Sequence, residues 1–82
     1  MKARPNIILP EVKNMLKSLG KKIREHRKFM KISTTQVLTD TGISRSTLTR
    51  IESGSPKVAI AAYFQVMFCI YMYRDLSSMT GK

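Results

Sequence analysis

The chain has 82 residues, of which 15 are Lys or Arg and 5 are Asp or Glu, so its formal net charge is +10. A chain of this length forms one domain, and 43% hydrophobic residues exclude wholesale disorder. The strong positive charge favours a polyanionic partner, with nucleic acid first and an anionic membrane surface second.

Residue types that carry catalysis or bind metals are sparse and scattered. The lone cysteine, Cys69, lies in an apolar run and is predicted to be a buried core residue. His26 has no second His, Cys or Asp at ligand spacing, so no metal and no cofactor is expected. The five acidic residues form no pair and no base–nucleophile group, so we do not expect an enzyme. The apolar run 7–9 is too short for a signal peptide, which favours the cytoplasm.

Residues 1–10 are predicted to be an N-terminal arm, because prolines bracket the segment and no period is visible. After Pro10 the pattern becomes helical. Gly20 costs about 1 kcal/mol relative to Ala inside a helix, which leaves open a helix that begins near Ser18. Apolar residues recur every three or four positions and predict one buried stripe: Val12, Met15, Leu16, Leu19, Ile23 and Met30.

Basic residues follow the same spacing on another side of this helix. At about 100° per residue, they fall within an arc of roughly 80°. We interpret this stripe as a solvated face and keep direct contact with phosphates as the alternative. Its members are Lys13, Lys17, Lys21, Arg24, Lys28 and Lys31.

Two short helices are predicted next. Ser33 and Gln36 match a capping box, in which each side chain would bond the other residue's amide. The helix that they open runs from Thr34 to about Thr41 and stops at Gly42, which can adopt the left-handed conformation. Ser44 then caps a helix that runs from about Arg45 to Ser53.

The segment from Val58 to Tyr73 is apolar on all sides, with Gln65 as its only strongly polar residue. Sixteen residues are too few for a membrane span of about 20, and a helix of this kind is buried on several sides. In so small a domain, one flank would face the core and the other a second copy of the chain. The residues predicted at this dimer interface are Tyr63, Phe64, Met67, Phe68 and Tyr71. Residues 11–76 would then form the domain and residues 77–82 a flexible tail.

The two short helices and their glycine turn match the plan of a helix-turn-helix, in which the second helix enters the DNA major groove. Val37 and Leu38 would meet Leu48 and Ile51, with Ile43 at the corner. The outward side of the second helix carries no acid to repel phosphate. Arg45 and Arg50 suit guanine edges, and the short hydroxyl side chains suit phosphates. The outward residues are Ser44, Arg45, Ser46, Thr47, Thr49 and Arg50.

The stretch STTQVLTDTGISRSTLTRIESG, residues 33–54, resembles the helix-turn-helix of Xre/Cro-like regulators, which have the lambda-repressor-like fold. The resemblance covers roughly residues 16–72 and implies an all-α domain of four to five helices. It implies that Arg45, Ser46 and Arg50 read bases and that Ser44, Thr34 and Ser53 face phosphates. It also implies a partly buried ion pair between Arg27 and Glu52. Thr34 and Leu38 depart from the Gln and Ala that are usual at these positions.

The segment from Ile51 to Val58 and the apolar helix after it are similar to HipB-like antitoxins. This narrower resemblance implies a dimer that binds a palindromic operator in double-stranded DNA, represses its own operon and holds a HipA-type kinase toxin. Three hypotheses therefore remain: a sequence-specific repressor, a protein-interaction module whose apolar C-terminal helix neutralises a toxin, and a membrane-surface protein. The last is disfavoured, because residues 58–73 carry no Lys or Arg, which an interfacial helix would mix with its apolar face.

Overall fold

The computed structural model describes the backbone of residues 8–79 and the side chains of residues 8–71. Within this part of the chain there are four helices and no strand, which confirms the all-α prediction. The helices are α1 (Pro10–Phe29), α2 (Thr34–Thr41), α3 (Arg45–Glu52) and α4 (Ile60–Met79). Most of the predicted arm, residues 1–7, lies outside the described residues.

Helix α1 is continuous from Pro10 and does not begin again near Ser18. Gly20 is retained inside it because another backbone lies against this position. A Cβ on Gly20 would lie 2.5 Å from the carbonyl oxygen of Ile51 and 2.7 Å from the amide nitrogen of Gly54. The loss of helix propensity at Gly20 is therefore offset by close packing of α1 on the end of α3.

The end of α1 differs from the prediction that Lys31 belongs to the helical basic stripe. Helix α1 ends at Phe29, and Lys31 has a left-handed backbone with φ of 60°. The Lys31 amide donates to the carbonyl of Lys28 and the Ile32 amide to that of Arg27, each at 3.0 Å. This is the Schellman pattern. The turn places Ile32 in the core and removes Lys31 from the helical stripe.

Helix α2 has the predicted bounds but only half of the predicted capping box. The Ser33 hydroxyl accepts from the Gln36 amide at 3.0 Å. The Gln36 side chain donates instead to both carboxylate oxygens of Asp40, at 3.0 and 3.1 Å. In the capping box the Gln36 side chain would accept from the Ser33 amide, whereas here its amide nitrogen donates to a charged carboxylate one turn away, and such charge-assisted bonds are the stronger ones. Gly42, with φ of 76°, ends the helix as predicted.

Helix α3 follows after residues 42–44 and also begins as predicted. The Ser44 hydroxyl accepts from the Thr47 amide at 3.1 Å. The helix ends one residue earlier than predicted, with Ser53 as its C-cap, and Gly54 takes a φ of 78°. A Cβ on Gly54 would meet the backbone of Leu16 and Lys17 at 2.5 Å. Gly20 and Gly54 together let α1 and the end of α3 touch backbone to backbone.

One hydrophobic core joins all four helices, and Leu38 and Ile43 pack against it as predicted. Of the stripe predicted on α1, Ile23 is fully buried, and Leu16, Leu19 and Met30 are half-buried. Val12 and Met15 are exposed, which corrects the prediction for these two residues. They lie before the part of α1 that α3 and α4 cover. The core consists of Ile23, Ile32, Val37, Leu48, Ile51, Tyr63, Val66, Cys69 and Ile70.

Helix α4 lies beside α1 and runs in the same direction. Leu16 and Leu19 line one groove with Ile60 and Phe64, and further along the His26 ring stacks on Tyr71 with 4.3 Å between centroids. Helix α4 continues to Met79, so residues 77–79 are helical rather than part of a flexible tail. The physical reason is that no Gly or Pro follows Val58 before Gly81. No helix in the described part of the chain is long and apolar enough to cross a membrane.

Candidate nucleic-acid interface

The outer surface of α3 carries the residues predicted to read bases. Leu48 and Ile51 face the core, and this fixes the rotation of the helix. Arg45, Ser46 and Arg50 are consequently all exposed. Among the described residues, their side chains take part in no hydrogen bond or ion pair. Both guanidinium groups are therefore free to bind a partner outside the chain.

Three of the five hydroxyl groups predicted to contact phosphates donate within the chain instead, whereas the Thr47 hydroxyl only accepts. The Ser44 hydroxyl donates to Thr47 Oγ1 at 2.9 Å, the Thr49 hydroxyl to the Arg45 carbonyl at 3.1 Å, and the Ser53 hydroxyl to the Arg50 carbonyl at 2.9 Å. A hydroxyl has only one proton to donate. Any phosphate contact there would need a change of hydroxyl rotamer or a backbone amide. Thr34 is half-buried in the first turn of α2.

Arg27 and Glu52 form an ion pair that joins α1 to α3. Arg27 Nε lies 2.7 Å from Glu52 Oε2, and the two side chains are 10% and 12% exposed. A second guanidinium nitrogen donates to the Ile32 carbonyl at 3.0 Å, so Arg27 also ties down the turn after α1. The pair compensates the one acidic residue on α3 and fixes this helix against α1.

The basic stripe of α1 lies on the flank of this helix that faces α3. Arg24 lines a shallow concavity together with Thr49 and Ser53, and the Arg27–Glu52 pair forms its floor. We call the exposed basic residues of this stripe from Lys17 to the end of α1 the basic flank: Lys17, Lys21, Arg24 and Lys28. The stripe is visible in the spacing of basic residues, but its position beside α3 is not, because the rotation of α1 relative to α3 is set by the contact between Gly20 and Gly54.

The predicted dimer residues on α4 fall into two groups. Tyr63 is only 4% exposed and its hydroxyl donates to the Ser55 carbonyl at 2.7 Å, so its place at a dimer interface is wrong. Burial also raises the pKa of the Tyr63 phenol. Met67 is half-buried against the core, whereas Phe64 and Phe68 are 59% and 54% exposed.

The exposed side chains of α4 continue onto α1. Ile60, Phe64, Phe68 and Tyr71 follow one side of α4, and Val12 and Met15 of α1 are exposed as well. The half-buried Leu16 and Leu19 connect the two sets, since they line grooves with both. We call this surface the apolar face: Val12, Met15, Ile60, Phe64, Phe68 and Tyr71. Sequence periodicity missed its α1 part because exposed and buried apolar residues have the same spacing.

Cys69 lies in the core and not at a reactive surface. Burial first, and then the neighbouring Asp40 carboxylate, raise the pKa of its thiol to about 11. At neutral pH the protonated thiol points at Asp40 Oδ2, with 3.7 Å between sulfur and oxygen. This contact links α4 to α2. No cluster of His, Cys, Asp or Glu among the described residues could hold a metal ion.

Comparison of the chain with protein-family models, curated proteins and solved structures finds no match. The function of this protein is therefore inferred from its own sequence and geometry.

Proposed function

We propose that this chain is a sequence-specific transcriptional regulator that binds double-stranded DNA through a helix-turn-helix formed by α2 and α3. One observation carries the proposal. The burial of Leu48 and Ile51 leaves Arg45, Ser46 and Arg50 exposed on α3, with no acidic residue between Asp40 and Glu52.

The chemistry of the exposed residues fits the major groove. Arginine binds the O6 and N7 atoms of guanine with two hydrogen bonds, and each such pair contributes about 1–3 kcal/mol of discrimination against a wrong base. Arg45 and Arg50 are five residues apart on α3, so they can contact different base pairs. The net charge of +10 adds attraction to any duplex, whatever its sequence.

The sequence pattern supports the same class. Residues 33–54 resemble the helix-turn-helix of Xre/Cro-like regulators with the lambda-repressor-like fold, and the ion pair between Arg27 and Glu52 that this resemblance implies is present. In this proposal the protein acts in the cytoplasm as a repressor without enzymatic activity. The hydroxyl residues Ser44, Thr47 and Thr49 stay predicted phosphate contacts, as do Thr34 and Ser53.

The apolar face supports a homodimer that binds a palindromic operator. The α4 residues 60–71 carry no charge, so two copies of this basic chain can meet through α4 without bringing like charges together, while Lys22 borders the α1 part of the face. The exposed side chains of this face amount to on the order of 500 Å², which is comparable to the largest apolar patch of a typical monomer, and a patch of this size often has a binding function. A standard interface buries about 800 Å² on each partner.

A second candidate function uses the same surface for another protein. The exposed Phe64 and Phe68 would suit a hydrophobic partner, and the HipB-like pattern of residues 51–58 points to a HipA-type kinase toxin. In that reading the protein is an antitoxin that neutralises the kinase, and DNA binding is secondary. Sedimentation of the pure chain tests whether the apolar face pairs two copies, and base-specific duplex binding by the pure chain separates the two functions, because the second does not require it.

Selection of binding sites from random duplexes, followed by a salt titration of the selected duplex, tests the proposed function. We expect the logarithm of the binding constant to fall linearly with the logarithm of the salt concentration, by about 0.9 for each phosphate neutralised. Arg45→Ala and Arg50→Ala should each weaken preference at particular base pairs by about 1–3 kcal/mol.

Lys22→Ala is the matched control, since Lys22 is exposed on α1 on the flank away from α3. It removes the same charge and should leave base preference unchanged. A binding constant that does not depend on salt, or wild-type base preference in both arginine variants, would contradict the proposal.

A further inference from the structure

We propose that the basic flank of α1 is a second DNA-contacting surface, which grips the phosphate backbone beside the groove that α3 enters. This inference rests on the proposed function and names a part of the interface that the helix-turn-helix does not contain. The residues concerned are Lys17, Lys21, Arg24 and Lys28.

The first support is proximity to α3. The backbones of α1 and the end of α3 touch at Gly20 and Gly54, where any Cβ would overlap the facing backbone. Arg24 borders the same concavity as Thr49 and Ser53. Thr49 lies one turn after Arg45 on the outer surface of α3. A duplex held by Arg45 would therefore have its backbone close to Arg24.

The second support is the arrangement of charge. At 100° per residue, the two acidic residues of α1, Glu11 and Glu25, fall outside the arc that holds the basic flank. Glu25 follows Lys21 by one turn, about 40° beyond the edge of that arc. Glu52, which lines the concavity beside Arg24, is paired with Arg27. A phosphate that approaches this concavity therefore meets no unpaired carboxylate of α3.

The third support is length. The basic flank runs over twelve residues from Lys17 to Lys28, or about 16 Å along the helix axis. Phosphates on one DNA strand rise about 3.4 Å per nucleotide. The row of cations is thus long enough to reach more than one phosphate of a strand. A helix face that is only solvated has no reason to carry its cations on the one side that borders α3.

The test compares two cations that are neighbours in sequence but lie on different flanks of α1. Lys21 belongs to the basic flank, whereas Lys22 lies among Met15 and Leu19 on the flank away from α3. Lys21→Gln and Arg24→Gln should each lower the salt slope of binding to duplex DNA by about 0.9 and weaken binding about fivefold at 0.15 M salt. The loss should be equal on the selected and on a random duplex, because phosphate contacts carry no sequence information.

Lys22→Gln should leave the salt slope of duplex binding unchanged. Arg24→Lys should also retain the wild-type slope, because it keeps the charge, and this control separates the effect of charge from that of packing. Equal slopes for Lys21→Gln, Arg24→Gln and Lys22→Gln would overturn the inference. If Arg45→Ala still relaxes base preference in the same assay, the proposed function survives that result. Absence of salt-dependent duplex binding by the wild-type chain would overturn both.

Discussion

The basic side and the apolar face of this molecule differ in the kind of partner that would complement them. The basic side, made of α3 and the basic flank of α1, has its single acid neutralised by Arg27, at 2.7 Å. The basic side therefore has an excess of positive charge and would be complemented by a negatively charged partner. The apolar face presents Phe64 and Phe68 to water at 59% and 54% exposure. It would be complemented by a second apolar surface that covers these rings.

Under the proposed function, this difference would let one small domain bind DNA on one side and a second copy of the chain on the other. The basic side is held rigid by fixed backbone contacts, at Gly20 and Gly54, and by an ion pair. The apolar face is held by burial of the opposite side of α4, where Val66 and Ile70 are fully buried. Changes on one side should therefore affect folding and DNA binding, and exposed changes on the other should affect association.

The largest expected effect comes from the ion pair behind the basic side. Arg27→Met leaves Glu52 charged at 12% side-chain exposure and should lower the free energy of unfolding by about 3–5 kcal/mol. Arg24→Met, an exposed arginine three residues earlier, should change it by less than about 0.5 kcal/mol. Urea unfolding measures both. Equal losses in the two variants would mean that the pair does not fix α3.

The contact between α1 and α3 is tested by the sign of the stability change in Gly20→Ala. Ala is favoured over Gly by about 1 kcal/mol inside a helix, so Gly20→Ala would stabilise an uncrowded α1. With the facing backbone at 2.5 Å, we expect a net loss of about 2–3 kcal/mol instead. Gly42→Ala, which meets no atom within 4 Å but has a φ of 76°, should cost about 1 kcal/mol. Stabilisation by Gly20→Ala in thermal unfolding would rule the contact out.

The apolar face should respond through association and not through folding. Phe68→Glu should raise the dimer dissociation constant at least about tenfold, because a charge would be placed in a desolvated interface. Gln65→Glu adds the same charge to an exposed position of α4 outside the face and should leave it unchanged. Sedimentation equilibrium with circular dichroism measures both quantities. A folded Phe68→Glu dimer of wild-type affinity would remove this face from the proposal.

The smallest effect concerns the buried side of α4. The pKa of the Cys69 thiol is raised from 9.0 to about 11, so the folded state favours the neutral thiol. Its contribution to stability is complete below pH 9 and is lost as the pH rises through about 11. The stability difference between wild type and Cys69→Ala should therefore be constant below pH 9 and shift against the wild type above it. A difference that is flat up to pH 11 would show that the thiol does not titrate with folding.

Local signals predicted most of the elements. Ser33, Gly42 and Ser44 set helix boundaries through bonds within four residues of themselves, so sequence spacing is enough to find them. The exceptions have local causes too: Gln36 prefers the Asp40 carboxylate, and the Schellman turn removes Lys31 from α1. The dimer prediction failed at Tyr63 because an apolar helix carries no periodic signal to tell its core side from its exposed side.

The sequence by itself determined the all-helical class, the starts of α2 and α3, the charge, and which side of α3 carries Arg45 and Arg50. These follow from short-range hydrogen bonding and from the periodicity of apolar residues. Only the tertiary structure decided that Gly20 and Gly54 bring α1 against α3, that the basic flank borders Thr49, and that Tyr63 is core while Phe64 is surface. Such outcomes depend on how distant helices rotate against each other, and no spacing along one helix encodes that rotation.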